Sequence, residues 1–180
     1  MFKLIIAVSS HLWQDLLMKS HLLQTFTANF DVEEDRIRLD CILVSGKEVQ
    51  IYFTNRLSIN FIKELVKQIG YISTVGTSNT LAQNFSLFSS RKHKPVSIFK
   101  EDAKSWLTKS IDFVKLEKTL RVIFKDNELN AVHLQGEEIL FRNILDVFYR
   151  VFLKAGWDTS IFPSWVNLSK NVIGSTASVH

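Results

Sequence analysis

The chain has 180 residues, 46% of them apolar and 22% charged, with 6 Gly, 2 Pro, 1 Cys, 4 Trp and 14 Phe. That length and apolar share suit one folded domain with a real core and not a disordered chain; the single Cys41 excludes an intrachain disulfide framework and a cysteine-rich zinc module, and the low Gly and Pro argue against a Gly-rich nucleotide loop. The formal net charge of +4 is small for a dedicated nucleic-acid binder, but it is unevenly spread. Ten Lys/Arg meet four acids between Arg91 and Lys125, whereas Arg142 alone opposes Asp126, Glu128, Glu137, Glu138 and Asp146 in the stretch that follows. Faces of opposite sign suit association with a partner.

The first residues, Met1 to Ser10, share features with a short secretory signal. The alternation of Phe2, Leu4, Ile6 and Val8 reads better as a strand, with Ser9 and Ser10 placed to cap a following helix. From His11 to about Phe30, Leu12, Trp13, Leu16, Leu17, Leu22, Leu23 and Phe26 predict a helix with a wide apolar arc. Residues 31–35, Asp-Val-Glu-Glu-Asp, read as a solvated acidic connection. A hairpin follows: Ile37, Leu39, Cys41 and Leu43 alternate with polar residues, Ser45-Gly46-Lys47 turns, and Val49, Ile51 and Phe53 alternate again. Asn55 is placed to cap a helix carrying Leu57, Phe61, Leu65, Val66 and Ile69, with Gly70 as its left-handed end and Tyr71 folding back.

Residues 73–95, rich in Ser, Thr and Asn, read as a long polar connection of the mobile or functional kind. Lys100 to Lys109, with Ala103, Trp106 and Leu107, has the spacing of a short amphipathic helix, and Ile111 to Leu116 that of a strand. The earlier order then returns. Leu120, Val122 and Phe124 lead through Asp126-Asn127-Glu128 to Val132 and Leu134, and a helix over about Glu137 to Ala155 ends at Gly156-Trp157. Residues 161–166 are apolar and irregular, and 167–180 form a polar tail.

These elements predict an α+β fold, a mostly antiparallel sheet built from two hairpin-plus-helix units with an N-terminal strand and helix. The expected organisation is a single domain over 1–166, with related halves at 1–72 and 96–166 joined by the polar loop 73–95.

Chemistry-bearing motifs are sparse. No G-x-S-x-G, H-E-x-x-H, C-x-x-C or G-x-x-x-x-G-K-[ST] occurs, so neither a catalytic residue nor a cofactor or metal ligand is assigned. Cys41 falls on the apolar phase of its strand and reads as a small buried hydrophobe, and His133 falls on the opposite phase of its own, as a sheet-surface histidine. Asp102-Ala103-Lys104 spells a fragment of a metal-nuclease motif, but within a helical pattern. With no catalytic constellation and an excess of apolar and aromatic residues, the expected function is a non-enzymatic protein-interaction module: an adaptor, assembly factor or chaperone-like subunit of a complex.

Trp13, Trp106, Phe162 and Trp165 are its candidate contact residues for a protein partner or a second copy. Arg91, Lys92 and Lys94 are the candidates for gripping phosphate or an acidic partner, and the alternative function is a nucleic-acid-binding module using the basic 91–125 region. One unpaired cysteine and no apolar run long enough for a membrane span point to the cytoplasm.

Overall fold

The computed structural model describes residues 20–72, 78–89, 104–127 and 130–166. The proposed strand at Phe2 to Val8, the first half of the proposed first helix with Trp13, the basic residues Arg91, Lys92 and Lys94, and the 167–180 tail lie outside the described residues.

The fold is α+β, and its sheet is mixed rather than purely antiparallel. β1 (His21–Asp31) and β2 (Arg36–Leu43) are antiparallel. Strand β1 replaces the second half of the predicted helix, and a bulge explains the misleading spacing. The register shifts between Leu23 and Thr25, so Leu23, opposite Leu43, shares the inner face with Phe26, opposite Cys41. A bulged strand thus carries a three-residue apolar interval that imitates a helix. The acidic connection turns as expected. Asp31 Oδ1 accepts the Glu34 N–H at 3.2 Å, and Asp35 takes the left-handed conformation, φ 49°, that Asp tolerates better than most residues.

β2 and β3 (Glu48–Phe53) form the predicted hairpin around Gly46, whose φ of 79° needs a residue without a Cβ. Strand β3 feeds directly into α1 (Asn55–Ile72). The cap is Thr54, not Asn55: its Oγ1 accepts the Leu57 N–H at 3.2 Å and its carbonyl accepts the Ser58 N–H at 2.9 Å. Gly70 does not end the helix. The described glycines with positive φ are Gly46 and Gly156, and the buried pair Ile69 and Ile72 holds the last turn on the core past Gly70. Tyr71 is 58% exposed and does not fold back.

Part of the predicted polar loop is the helix α2 (Asn79–Ser89). The predicted helix around Trp106 is instead a strand, β4 (Lys104–Leu107), parallel to β3 with Trp106 opposite Ile51. In four residues the apolar spacing cannot separate the two conformations, and pairing with an existing strand decides. Two residues later β5 (Ser110–Lys115) begins, antiparallel to β6 (Leu120–Lys125), which pairs in turn with β7 (Ala131–Gly136). Helix α3 (Glu138–Ala155) follows and ends as predicted at Gly156, φ 69°.

The strand order is β4-β3-β2-β1-β7-β6-β5, with β1 and β7 joined in parallel through His21 opposite Val132 and Leu22 opposite His133. Because β4 and β5 stand at opposite ends of that order yet are separated only by Thr108 and Lys109, the sheet curls until its ends meet there. At that corner the Thr108 N–H donates to Tyr52 O at 2.9 Å and the Lys109 N–H to Lys125 O at 2.8 Å. Helices α1 and α3 fill the inner face. Phe53 of β3, Phe61 of α1, Phe124 of β6 and Phe148 of α3 form one ring cluster, with Phe53 and Phe124 edge-to-face at 5.2 Å and Phe61 and Phe148 at 5.0 Å. Each such ring contributes about 1.5–3 kcal/mol by leaving water.

Candidate functional site

The predicted contact residues that lie among the described residues, Trp106, Phe162 and Trp165, are largely consumed by the core. Trp106 and Phe162 are buried, and Phe162 packs edge-to-face on Tyr149 at 5.2 Å and on Phe152 at 5.3 Å. Trp165 is half-buried with the Arg142 guanidinium 4.9 Å from its ring centroid. Trp157 closes the end of α3 against Phe30, 5.5 Å away, and Phe152, 5.1 Å away. The late aromatic cluster is therefore a plug for the α3 end of the core.

Three sets of buried or half-buried polar residues stand out among the described residues. On the outer face of the sheet Asp40 is 0% exposed; its carboxylate accepts Gln50 Nε2 at 2.9 Å and lies 3.1 Å from Arg38 Nε, while Arg38 also reaches Asp31 at 3.1 Å. Burial works against the Arg38 charge, and the carboxylates of Asp40 and Asp31 with Tyr52 outweigh it, so its pKa stands above the usual value. This is a compensated ladder that pins three strands. Cys41 lies one residue on, facing the core. Burial chiefly, and the Asp40 charge next, push its thiol up, which leaves it a protonated hydrophobe, as predicted.

The second set surrounds His133, where burial first, then Arg121 and His21, lower the pKa. Its Nδ1 is buried and lacks a hydrogen-bond partner among the described residues. Among the described residues no three His, Cys, Asp or Glu side chains converge to hold a metal ion, and no helix is long and apolar enough to cross a membrane.

The third set is the seam between α2 and α3. Arg142 of α3 is 1% exposed by residue area. Its Nε donates to Glu138 at 2.6 Å, one terminal nitrogen to the Asn79 side-chain oxygen at 2.9 Å, and the other to the Asn79 carbonyl at 3.3 Å. Gln83 Nε2 donates to the Arg142 carbonyl at 3.1 Å, and Ser86 Oγ to the Gln83 carbonyl at 2.8 Å.

Helix α2 is consequently inverted. Its Gln83 and Ser86 are 0% exposed, while Leu81 and Phe85, four residues apart on the other face, are 60% and 62% exposed. A lone exposed leucine means little, but a helix that turns polar residues inward and large apolar ones outward reverses the usual arrangement of a surface helix. Sequence reasoning missed this face because the Ser/Thr/Asn content of 73–95 reads as loop. The available signal was Ser78, whose Oγ accepts the Leu81 N–H at 3.4 Å, followed by apolar residues at helical spacing.

Compared with protein-family models, with curated proteins and with solved structures, the chain shows no significant match in any of the three.

Proposed function

We propose that this chain is a protein-interaction module, an adaptor or assembly factor that works by docking a partner on the outer face of α2. The observation that carries the reading is the inverted helix. Leu81 and Phe85 stand out from a helix anchored from behind by Asn79 and Gln83, so the exposed side chains sit on a fixed support. Covering them would recover the transfer free energy that isolated folding leaves unused, about 1.5–3 kcal/mol for each large apolar side chain fully buried. In the same reading, β2-β3-α1 and β6-β7-α3 are two related hairpin-plus-helix units, and α2 is the addition that carries the contact.

The test is affinity capture of the tagged full chain from its native cell, with and without nuclease, alongside Leu81→Asp and Phe85→Asp. A partner recovered in stoichiometric amount, insensitive to nuclease and lost from both variants while their melting temperatures stay near wild type, is the expected result. Recovery that both variants retain, or that collapses with nuclease, refutes it.

A further inference from the structure

Among the described residues, the corner where the sheet closes leaves the far edge of β5 without a partner strand. Strand β3 ends at Phe53 and the chain turns into α1, so beyond Thr108 the strand 110–115 has lost its neighbour on that side. In the β5–β6 ladder Ser110 lies opposite Lys125 and Lys115 opposite Leu120, and the Leu116 N–H donates to Thr119 O at 2.9 Å. In an antiparallel ladder bonded positions alternate, so Asp112 and Val114 bond β6 while the amides and carbonyls of Ile111, Phe113 and Lys115 point to the open side. No residue of β5 is buried, whereas its neighbour β6 alternates buried with half-buried.

Beside this edge lies a cavity of about 380 Å³ between α1 and β5, lined by the apolar Leu57, Phe61, Ile111 and Phe113 and by Lys63 and Glu64. The comparable junction, between α3 and β1, is closed by Trp157 on Phe30; at the α1 end Tyr71 stays exposed, and Phe113 of β5 stacks on Phe61 of α1 at 6.0 Å, both rings lining a cleft that stays open beside them. The charges around it are unbalanced. Glu64 is already held by Lys67 at 3.6 Å and by Gln68 at 2.6 Å, and Asp112 is paired with Lys125. Lys63 in the cleft wall and Lys109 and Lys118 flanking β5 have no ion pair among the described residues, against one such carboxylate, Glu117 in the β5–β6 turn, and Lys115 reaches only the Tyr71 carbonyl, at 3.5 Å.

We infer that the β5 edge and the adjoining α1 cleft bind an extended, acidic segment of a partner protein by strand addition. Its backbone bonds Ile111, Phe113 and Lys115, its alternate apolar side chains enter the cleft, and its Asp and Glu residues meet the lysines. Unpaired edges invite such pairing, and side-chain alternation supplies the selectivity. This surface lies on different residues from the α2 face and stands independently of it.

The experiment selects a phage-displayed library of random dodecapeptides on the full chain, then measures hydrogen exchange and affinity with the synthetic peptide that enriches most. Expected are peptides alternating apolar residues with Asp or Glu, and slowed exchange at Ile111, Phe113 and Lys115. Lys63→Glu should weaken binding about five- to tenfold at low salt. Lys115→Pro, whose lost N–H serves no described strand, should weaken it more than Lys115→Gln. Failure to enrich peptides, enrichment of basic or helix-forming ones, or protection confined to α2 with β5 unchanged would overturn the proposal. The last of these would leave the α2 reading standing, and β5 protection without any effect of Leu81→Asp would separate the two the other way.

Discussion

Replacing Arg142 by Met tests whether the α2–α3 seam is held by a buried charge. The substitution keeps an unbranched apolar stem of similar reach, so the loss isolates the guanidinium from the packing. At stake are the 2.6 Å bond to Glu138, two bonds to Asn79 at 2.9 and 3.3 Å, and the stacking on Trp165. Breaking a buried pair costs about 3–5 kcal/mol when the surviving charge stays dry. The Glu138 side chain retains 19% exposure and can rehydrate in part, which lowers the expected loss to about 2–4 kcal/mol. Glu138→Gln added to Arg142→Met should return about 1 kcal/mol or more by removing the stranded carboxylate. Urea unfolding followed by far-ultraviolet circular dichroism gives these differences, and an Asn79→Ala/Arg142→Met cycle gives the coupling across the seam. A loss below about 1 kcal/mol, or coupling below about 0.5 kcal/mol, would falsify the view that Arg142 holds α2 in place.

The two helix-end glycines should behave oppositely. Gly156→Ala places a Cβ at φ 69° and should destabilise by about 1–2 kcal/mol, whereas Gly70→Ala, helical with nothing within 4 Å of the added carbon, should stabilise by about 0.5–1 kcal/mol in the same urea assay. Because the folded pKa of His133 is depressed, the folded state takes up its proton less readily than the unfolded chain. The stability tied to it is complete above the unfolded value of about 6.5 and is lost as pH falls through the folded value. His133→Gln should flatten that slope in melts recorded across pH 7.5 to about 5; an unchanged slope rules His133 out as its source. Cys41, 0% exposed with a raised pKa, should resist aromatic disulfide reagents at pH 8 until urea unfolds the chain; rapid native labelling would show that its strand opens locally.

The hairpins were legible because period two on both sides of a turn has few other readings. Ile37 to Phe53 and Leu120 to Leu134 land in β2–β3 and β6–β7 with the predicted residues inward. Helix α3 was legible for a similar reason, since eighteen residues of consistent spacing run into a glycine whose φ is 69°. The errors fall where a short window met a tertiary decision. β1 carries a bulge that mimics helical spacing, β4 has four residues and takes its conformation from β3, and Gly70 sits in a helix whose buried Ile72 outweighs a local stop signal. The two parallel pairings were invisible, since nothing in Leu22 or Trp106 states which distant strand lies beside it.

The candidate surfaces were less legible than the fold, and the reason is physical. Predicting contact residues from aromatic content assumes that the rings exceed what the core can hold, yet a curled sheet around two helices has room for many of them. Phe53, Phe61, Phe124 and Phe148 fill its middle, and Trp157 and Phe162 close one end. What the fold leaves over is set by topology. Among the described residues a strand edge opens because β3 gives way to α1 after Phe53 and Thr54, and an apolar helix face opens because α2 is fastened through Asn79 and Gln83 to a buried arginine. The first surface is therefore a by-product of chain routing, and the second of how a buried arginine is satisfied. Changing Arg142 should disturb the α2 face through its anchor and leave the β5 edge intact, because the hydrogen bonds that define that edge run to β6 alone among the described residues.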